Sequence, residues 1–187
     1  MSALLDLSAP CLESGVVMTE AERWLWVRRL YQAHRERVTR FLVRLAGDPA
    51  AAEDLTSETF IRAFEAAGQF AGRSQETTWL FGIALNVARN HRAKERRRRL
   101  LRRLFLQQDG EAPSAANAVE ARQRIDALDR AMNALPGPLR EAYVVRVLEE
   151  RPLKEAAALL GVPVSTLSER AARAEAIVRA SVEREGA

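Results

Sequence analysis

Apolar side chains recur every three or four positions along most of this chain, and they do so in separate blocks. Val27, Leu30, Tyr31, His34, Val38, Phe41, Leu42 and Leu45 share one side of a helix that the pattern begins at Glu22. Gly47-Asp48-Pro49 stops it, glycine by tolerating a left-handed conformation and proline by suiting the first turn of the next helix. A second helix is predicted from about Ala50 to Ala67, with Leu55, Phe60, Ala63, Phe64 and Ala67 turned inward. Its other side carries Asp54, Ser57, Glu58, Ile61 and Glu65 as surface neighbours. The glycine-punctuated segment Gly68–Ser74 then reads as a loop with Phe70 and Arg73 as exposed anchors. A third helix follows in TTWLFGIALNVARNHRAKERRRRLLRRL, Thr77 to Leu104, which no glycine or proline interrupts once the basic run begins.

The pattern breaks once in the interior. QQDGEAPSAANA, residues 107–118, is rich in Gly, Pro, Ser, Ala and Asn and reads as a linker. Helical periodicity resumes over Val119–Leu135, and Pro136-Gly137-Pro138 interrupts it. Leu139–Glu149, Leu153–Leu160 and Val164–Glu185 are the remaining predicted helices, with no sustained strand-like alternation anywhere. The expected architecture is all-α, two helical domains joined by a flexible linker. The expected segments are an arm at 1–20, a first domain at 21–106, the linker at 107–118 and a second domain at 119–187.

Charge changes this picture at one place. Lys+Arg number 29 against 25 Asp+Glu, a formal balance of only +4. Between Arg89 and Arg103, however, Glu95 is the lone acid in a run of arginines and one lysine. A local basic patch on a nearly balanced chain points to a polyanionic partner met at one surface. Cys11 is the only cysteine, so no internal disulfide forms, and only His34 and His91 could join it in a zinc site, so no metal is expected. His34 lies on an apolar face and reads as a packed histidine. With no leader-like N-terminus and no apolar run of bilayer length, the expectation is a cytoplasmic protein without stable membrane insertion.

The most specific stretch is LKEAAALLGVPVSTLSERAARA. Ala156-Ala157 lets a second helix approach closely, Gly161-Val162-Pro163 makes a tight turn, and Leu167, Ala171 and Ala174 are the inward positions of the helix that follows. That is a helix-turn-helix pattern, in which the start of the second helix enters the DNA major groove. Ser165, Thr166, Ser168, Glu169, Arg170 and Arg173 are then the side chains placed to reach base edges.

Joined to ALPGPLREAYVVR upstream, this segment resembles region 4 of bacterial sigma factors. AAEDLTSETFIRAFEA resembles region 2.2 of the same family, and QFAGRSQETTWLFGIALNVARNH its regions 2.3 and 2.4. Both occur in family order with a short linker and no middle domain, the layout of the extracytoplasmic-function (ECF, group 4) sigma factors. The resemblance spans roughly residues 25–180.

That resemblance implies a transcription initiation subunit, not an enzyme, with no cofactor and no catalytic residues. Its partners would be core RNA polymerase, promoter DNA and an anti-sigma factor. Asp54, Ser57, Glu58, Ile61 and Arg62 match the polymerase-docking positions. Phe70, Arg73, Ser74, Trp79, Asn86, Arg89, Asn90 and Lys94 match the segment that melts and holds the −10 element. Arg92 and Arg96–Arg99 would add phosphate contacts, and Ser165 to Arg173 would read the −35 element. Two departures fall where promoter choice is made. Glu76 and Thr77 stand where many members carry an aromatic and a basic residue, and Ser168-Glu169 stand where the recognition helix often has Lys then Ser.

Three other readings account for less of the chain. A stand-alone helix-turn-helix repressor or activator accounts for residues 120–185 but leaves the Asp54–Arg62 face without a role. A nucleic-acid enzyme lacks a carboxylate cluster, a phosphate-cradling loop or a nucleophile constellation. A membrane-surface helix over Asn90–Leu106 has amphipathicity alone in its favour.

Overall fold

A computed structural model of the chain describes residues 18–70, 72, 74–105 and 121–185, with the side chains of 102–105, 121–127 and 185 left aside. The expected arm and Cys11, the linker, and Arg73 lie outside the described residues or nearly so; of the arm only Met18, Thr19 and Glu20 are described. Among the described residues the chain is helical and without strands: α1 Glu20–Ala46, α2 Ala52–Ala66, α3 Glu76–Phe105, α4 Ala121–Ala134, α5 Gly137–Ala142, α6 Leu153–Leu160 and α7 Val164–Glu185. The expected all-α architecture is what forms.

Helix α1 starts two residues earlier than its apolar pattern because Thr19 caps it. The Thr19 hydroxyl accepts from the Glu22 amide while the Glu22 carboxylate accepts from the Thr19 amide at 2.7 Å, a reciprocal capping box. Gly47 (φ 69°) closes the other end in a left-handed conformation, its amide donating to the Val43 carbonyl. A β-carbon on Gly47 would also push aside the ends of the Asn133 and Arg140 side chains, but the left-handed φ is what favours glycine there.

The first three helices pack around an aromatic centre. Phe41 and Phe81, both fully buried, meet edge to face at 4.8 Å. Trp26, Phe70 and Trp79 form a second cluster with ring centroids 5.2 to 5.3 Å apart. Two sequence expectations are corrected here. Phe70 is not an exposed anchor: it is partly buried in this cluster, because the short 3-10 turn Ala67–Gln69 swings the chain back over Trp26. Tyr31 does not join the core; it is 40% exposed and lies edge-on to Phe60 at the rim. The core position near that end of the helix goes to Trp26, which the periodic reading passed over.

The later helices use smaller side chains. Ala156 and Ala157 are buried on α6, and Leu167, Ala171, Ala174 and Val178 on α7, so the two helices sit close, as the alanine pair predicts. Between them Gly161 (φ 69°) donates to Ala158 and Val162 donates to Ala157, a Schellman turn that sets the helix-turn-helix angle. The expected continuous helix over Leu139–Glu149 is replaced by α5 and then a π-helical stretch, Tyr143–Leu148, which delivers its closing bond from the Glu149 amide to the Val144 carbonyl. Glu150 follows with φ 51°, which an L side chain rarely adopts, before Pro152 opens α6.

The two groups of helices are not apart. They dock along a seam in which α5, the π-helical stretch and α6 meet α1 and α3. Gly82 on α3 faces the Leu159 side chain of α6. Arg151, only 6% exposed, lays its guanidinium over the Phe81 ring at 4.7 Å and donates to the Thr78 hydroxyl at 3.2 Å.

Candidate nucleic-acid and polymerase interfaces

The outward side of α2 is built from sequence periodicity. Leu55, Thr59, Phe60 and Ala63 hold one side in the core, which turns Asp54, Ser57 and Ile61 to solvent. Ile61 is 59% exposed, and Glu58 and Arg62 beside it pair one helical turn apart at 2.6 Å. The face is thus apolar at its centre and charged at its rim. Trp24 (59% exposed) packs at a tilt against Phe64, ring centroids 4.8 Å apart, and carries apolar surface from α2 onto α1.

Along α3 the expected DNA-facing residues divide. Asn86, Asn90 and Lys94 are exposed and recur every four residues, so they form one stripe on a single face. Ser74 is exposed at the entrance to the helix. Trp79 belongs to the aromatic cluster with Phe70 and Trp26, so its ring is held by packing. Arg89 is engaged: its Nε and Nη2 donate to both oxygens of Glu141 at 3.1 and 2.7 Å, and that carboxylate raises the guanidinium's pKa. Downstream, Arg96 to Arg99 are exposed, and Arg98 pairs with Glu95 at 2.8 Å.

Glu76, the first departure from the expected pattern, has a structural use that the sequence did not disclose. At the first turn of α3 its carboxylate accepts from the Trp26 indole at 2.8 Å and from Arg29 at 2.6 Å. A carboxylate there also suits the positive end of the helix dipole. The acid therefore ties α1 to α3 under the loop that carries Phe70.

In the helix-turn-helix, Ser165, Ser168, Glu169 and Arg173 are exposed, while Thr166 and Arg170 are partly covered by the turn and the α7 packing. All six residues lie in the first three turns of α7, on the side away from Leu167, Ala171 and Ala174. This is the arrangement needed to present polar side chains to base edges.

Sequence reasoning missed the seam between the two halves. Glu149, whose side chain is 6% exposed, accepts from Arg37 at 3.1 Å and from Arg44 at 3.2 Å. Arg140, 3% exposed, donates to the Leu45 carbonyl at 3.4 Å, and its Nε has no hydrogen-bond partner. Burial first, and the nearby Arg92 second, pull its pKa down to about 10. Burial likewise lowers Arg92 and Arg151. No local pattern signals these residues, because every partner lies dozens of positions away.

No group of three or more His, Cys, Asp or Glu among the described residues could hold a metal, and no described helix is long and apolar enough to cross a membrane.

Comparison with known proteins agrees with this layout. Residues 30–98 match the family model for Sigma-70 region 2, and residues 125–177 that for Sigma-70, region 4. The RNA polymerase sigma-H factor of Pseudomonas aeruginosa is 31% identical over 160 residues, covering 79% of this chain and 81% of that protein. The ECF RNA polymerase sigma factor SigC of Mycobacterium tuberculosis is 34% identical over 157 residues, covering 81% and 80%. Among solved structures, the fold is similar to the sigma factor RpoE, seen in complex with the anti-sigma factor NepR from Bartonella quintana. There the TM-score is 0.66 at 21% identity, over 83% of this chain and 96% of that one. It is also similar to CnrH in complex with the cytosolic domain of CnrY, at TM-score 0.64 and 22% identity, over 88% and 92%.

Proposed function

The chain belongs to the extracytoplasmic-function sigma factors of bacterial RNA polymerase, and on that premise we propose how its surfaces divide the work of initiation. As a sigma factor it binds core RNA polymerase and directs initiation at particular promoters. It acts in the cytoplasm by binding alone, with polymerase supplying the chemistry. Residues 21–106 form the polymerase-docking and −10-reading domain, 107–118 the linker, and 119–187 the −35-reading domain.

Asp54, Ser57, Glu58, Ile61 and Arg62 are the polymerase contacts. The observation that carries this is the exposed Ile61 set among charges on an otherwise well-packed helix. Ser74, Asn86, Arg89, Asn90 and Lys94 hold the separated −10 strands, with Arg73 in the loop ahead. Phe70 and Trp79 are assigned to this segment as the packed wall behind it. Ser165, Thr166, Ser168, Glu169, Arg170 and Arg173 read the −35 duplex. An anti-sigma factor controls the chain, a reading supported by the similar fold of RpoE, solved with NepR.

The test is run-off transcription with core polymerase across genomic fragments. Specific transcripts that appear only with this chain are expected. Tight, sequence-specific duplex binding by the chain alone, with no transcripts, would favour the repressor reading instead.

A further inference from the structure

One indole on α1 holds both ends of the loop that precedes α3. Phe70, where the loop begins, stacks its ring on Trp26, with centroids 5.2 Å apart and an interplanar angle of 29°. Glu76, where the loop ends, accepts from the Trp26 indole Nε1 at 2.8 Å. Five residues, Ala71 to Gln75, join these two anchors. Trp26 is itself 6% exposed and packs at a tilt against Trp79 at 5.2 Å, so the anchor is fixed in the core.

A short segment tied at both ends has lost most of its freedom before any ligand arrives. Side chains carried on it then meet a ligand in one geometry, and a fixed geometry is what separates a matching base from a mismatched one. Charge matters as well. A bare carboxylate at the first turn of α3, two residues from Ser74, would repel phosphates. Arg29 donates to the same Glu76 oxygen as the indole, at 2.6 Å, and the Glu76 side chain is only 24% exposed. The acid is thereby balanced and held against α1.

We propose that Trp26 and Glu76 are positioning residues for −10 recognition. They fix the loop that carries Arg73 and Ser74, so that it discriminates among bases, and touch no base themselves. This role rests on the −10 assignment made above; the pinning of the loop ends does not.

The experiment has two arms, each comparing the full-length wild type with Glu76→Ala, Glu76→Gln and Trp26→Phe. In the first, amide hydrogen exchange is read by mass over residues 68–79. That stretch contains the Phe70 amide bonded to Ala67 and the Trp79 amide bonded to Gln75. Exchange there should be about tenfold faster in Glu76→Ala and Trp26→Phe, and unchanged over α7. Glu76→Gln keeps an acceptor for the indole and should stay within about threefold of wild type. A loss as large as that of Glu76→Ala assigns the effect to the Arg29 pair and overturns the part given to the indole. Unchanged exchange over 68–79 in all three variants, or acceleration along every helix, overturns the pin. The second arm is run-off transcription with core polymerase from a promoter that the wild type uses, and from copies with single changes in either element. Preference for the native −10 bases should fall about tenfold in Glu76→Ala and Trp26→Phe, with the −35 preference intact. A loosened loop with full −10 preference, or an equal fall at both elements, overturns the positioning role. A wild type that gives no transcript removes the sigma-factor reading instead, and the exchange arm still decides the pin.

Discussion

The two domains solve the packing problem with different side chains. The N-terminal one interlocks rings: Phe41 against Phe81, and Trp26 with Phe70 and Trp79. The C-terminal one draws helices together over alanines, with Tyr143 as its one described aromatic residue. Rings bury large areas and fix the shape of the three-helix core. Alanine seams bury less, and a domain built on them gains more from docking against a neighbour. The difference explains why Arg140 and Arg151, both in the C-terminal domain, find their cover on α1 and α3.

The comparison can be broken most forcefully at the ring core. Phe41→Ala should cost about 3–5 kcal/mol. All three tryptophans, Trp24, Trp26 and Trp79, lie in the N-terminal domain, so their emission in urea reports this loss directly. Leu167→Ala, at the centre of the alanine seam, should cost about 2–5 kcal/mol by far-ultraviolet dichroism. If the domains unfold independently, it leaves the tryptophan transition where it was; a matching shift there would mean that the docked chain melts as one unit. On the functional side, Asp54→Lys with Glu58→Lys should abolish co-purification with core polymerase at unchanged helicity. Retained polymerase would refute the α2 assignment.

Smaller effects sharpen the picture at the edges. Thr19→Ala removes the cap of α1 and should lower stability by about 1 kcal/mol, seen as an earlier tryptophan transition. His34 gives the least. Burial, helped by Arg37, lowers its pKa, so below about pH 6.5 the unfolded chain takes up a proton that the folded chain accepts only at lower pH. Stability should therefore decline as pH falls through that window, and His34→Gln should flatten the decline in denaturation midpoints measured at pH 7 and pH 5.

Local chemistry made much of this legible in advance. Helix ends were readable at Gly47 and Gly161 because a left-handed stop belongs to the residue type. The outward face of α2 was readable because a period of 3.6 assigns Ile61 to the side opposite Leu55 and Ala63. Phe70 and Tyr31 were misplaced because neither a glycine-rich loop nor the edge of an apolar stripe carries a local signal for which way an aromatic ring packs. The π-helical stretch escaped too, since Tyr143 to Leu148 carries nothing that sets it apart from an ordinary helix; the docking of Glu149 and Arg151 accompanies it.

Sequence by itself determined most of the helices, the glycine stops at Gly47 and Gly161, the order of the two domains and the polar faces of α2, α3 and α7. These rest on periodicity and turn chemistry, which act over a few residues. Tertiary structure alone decided what Glu76 ties together, where Arg89 spends its charge and which arginines meet Glu149. Those pairs join residues 47 to 112 positions apart, and a pairing at that range is chosen by how whole domains fit, not by any neighbour along the chain.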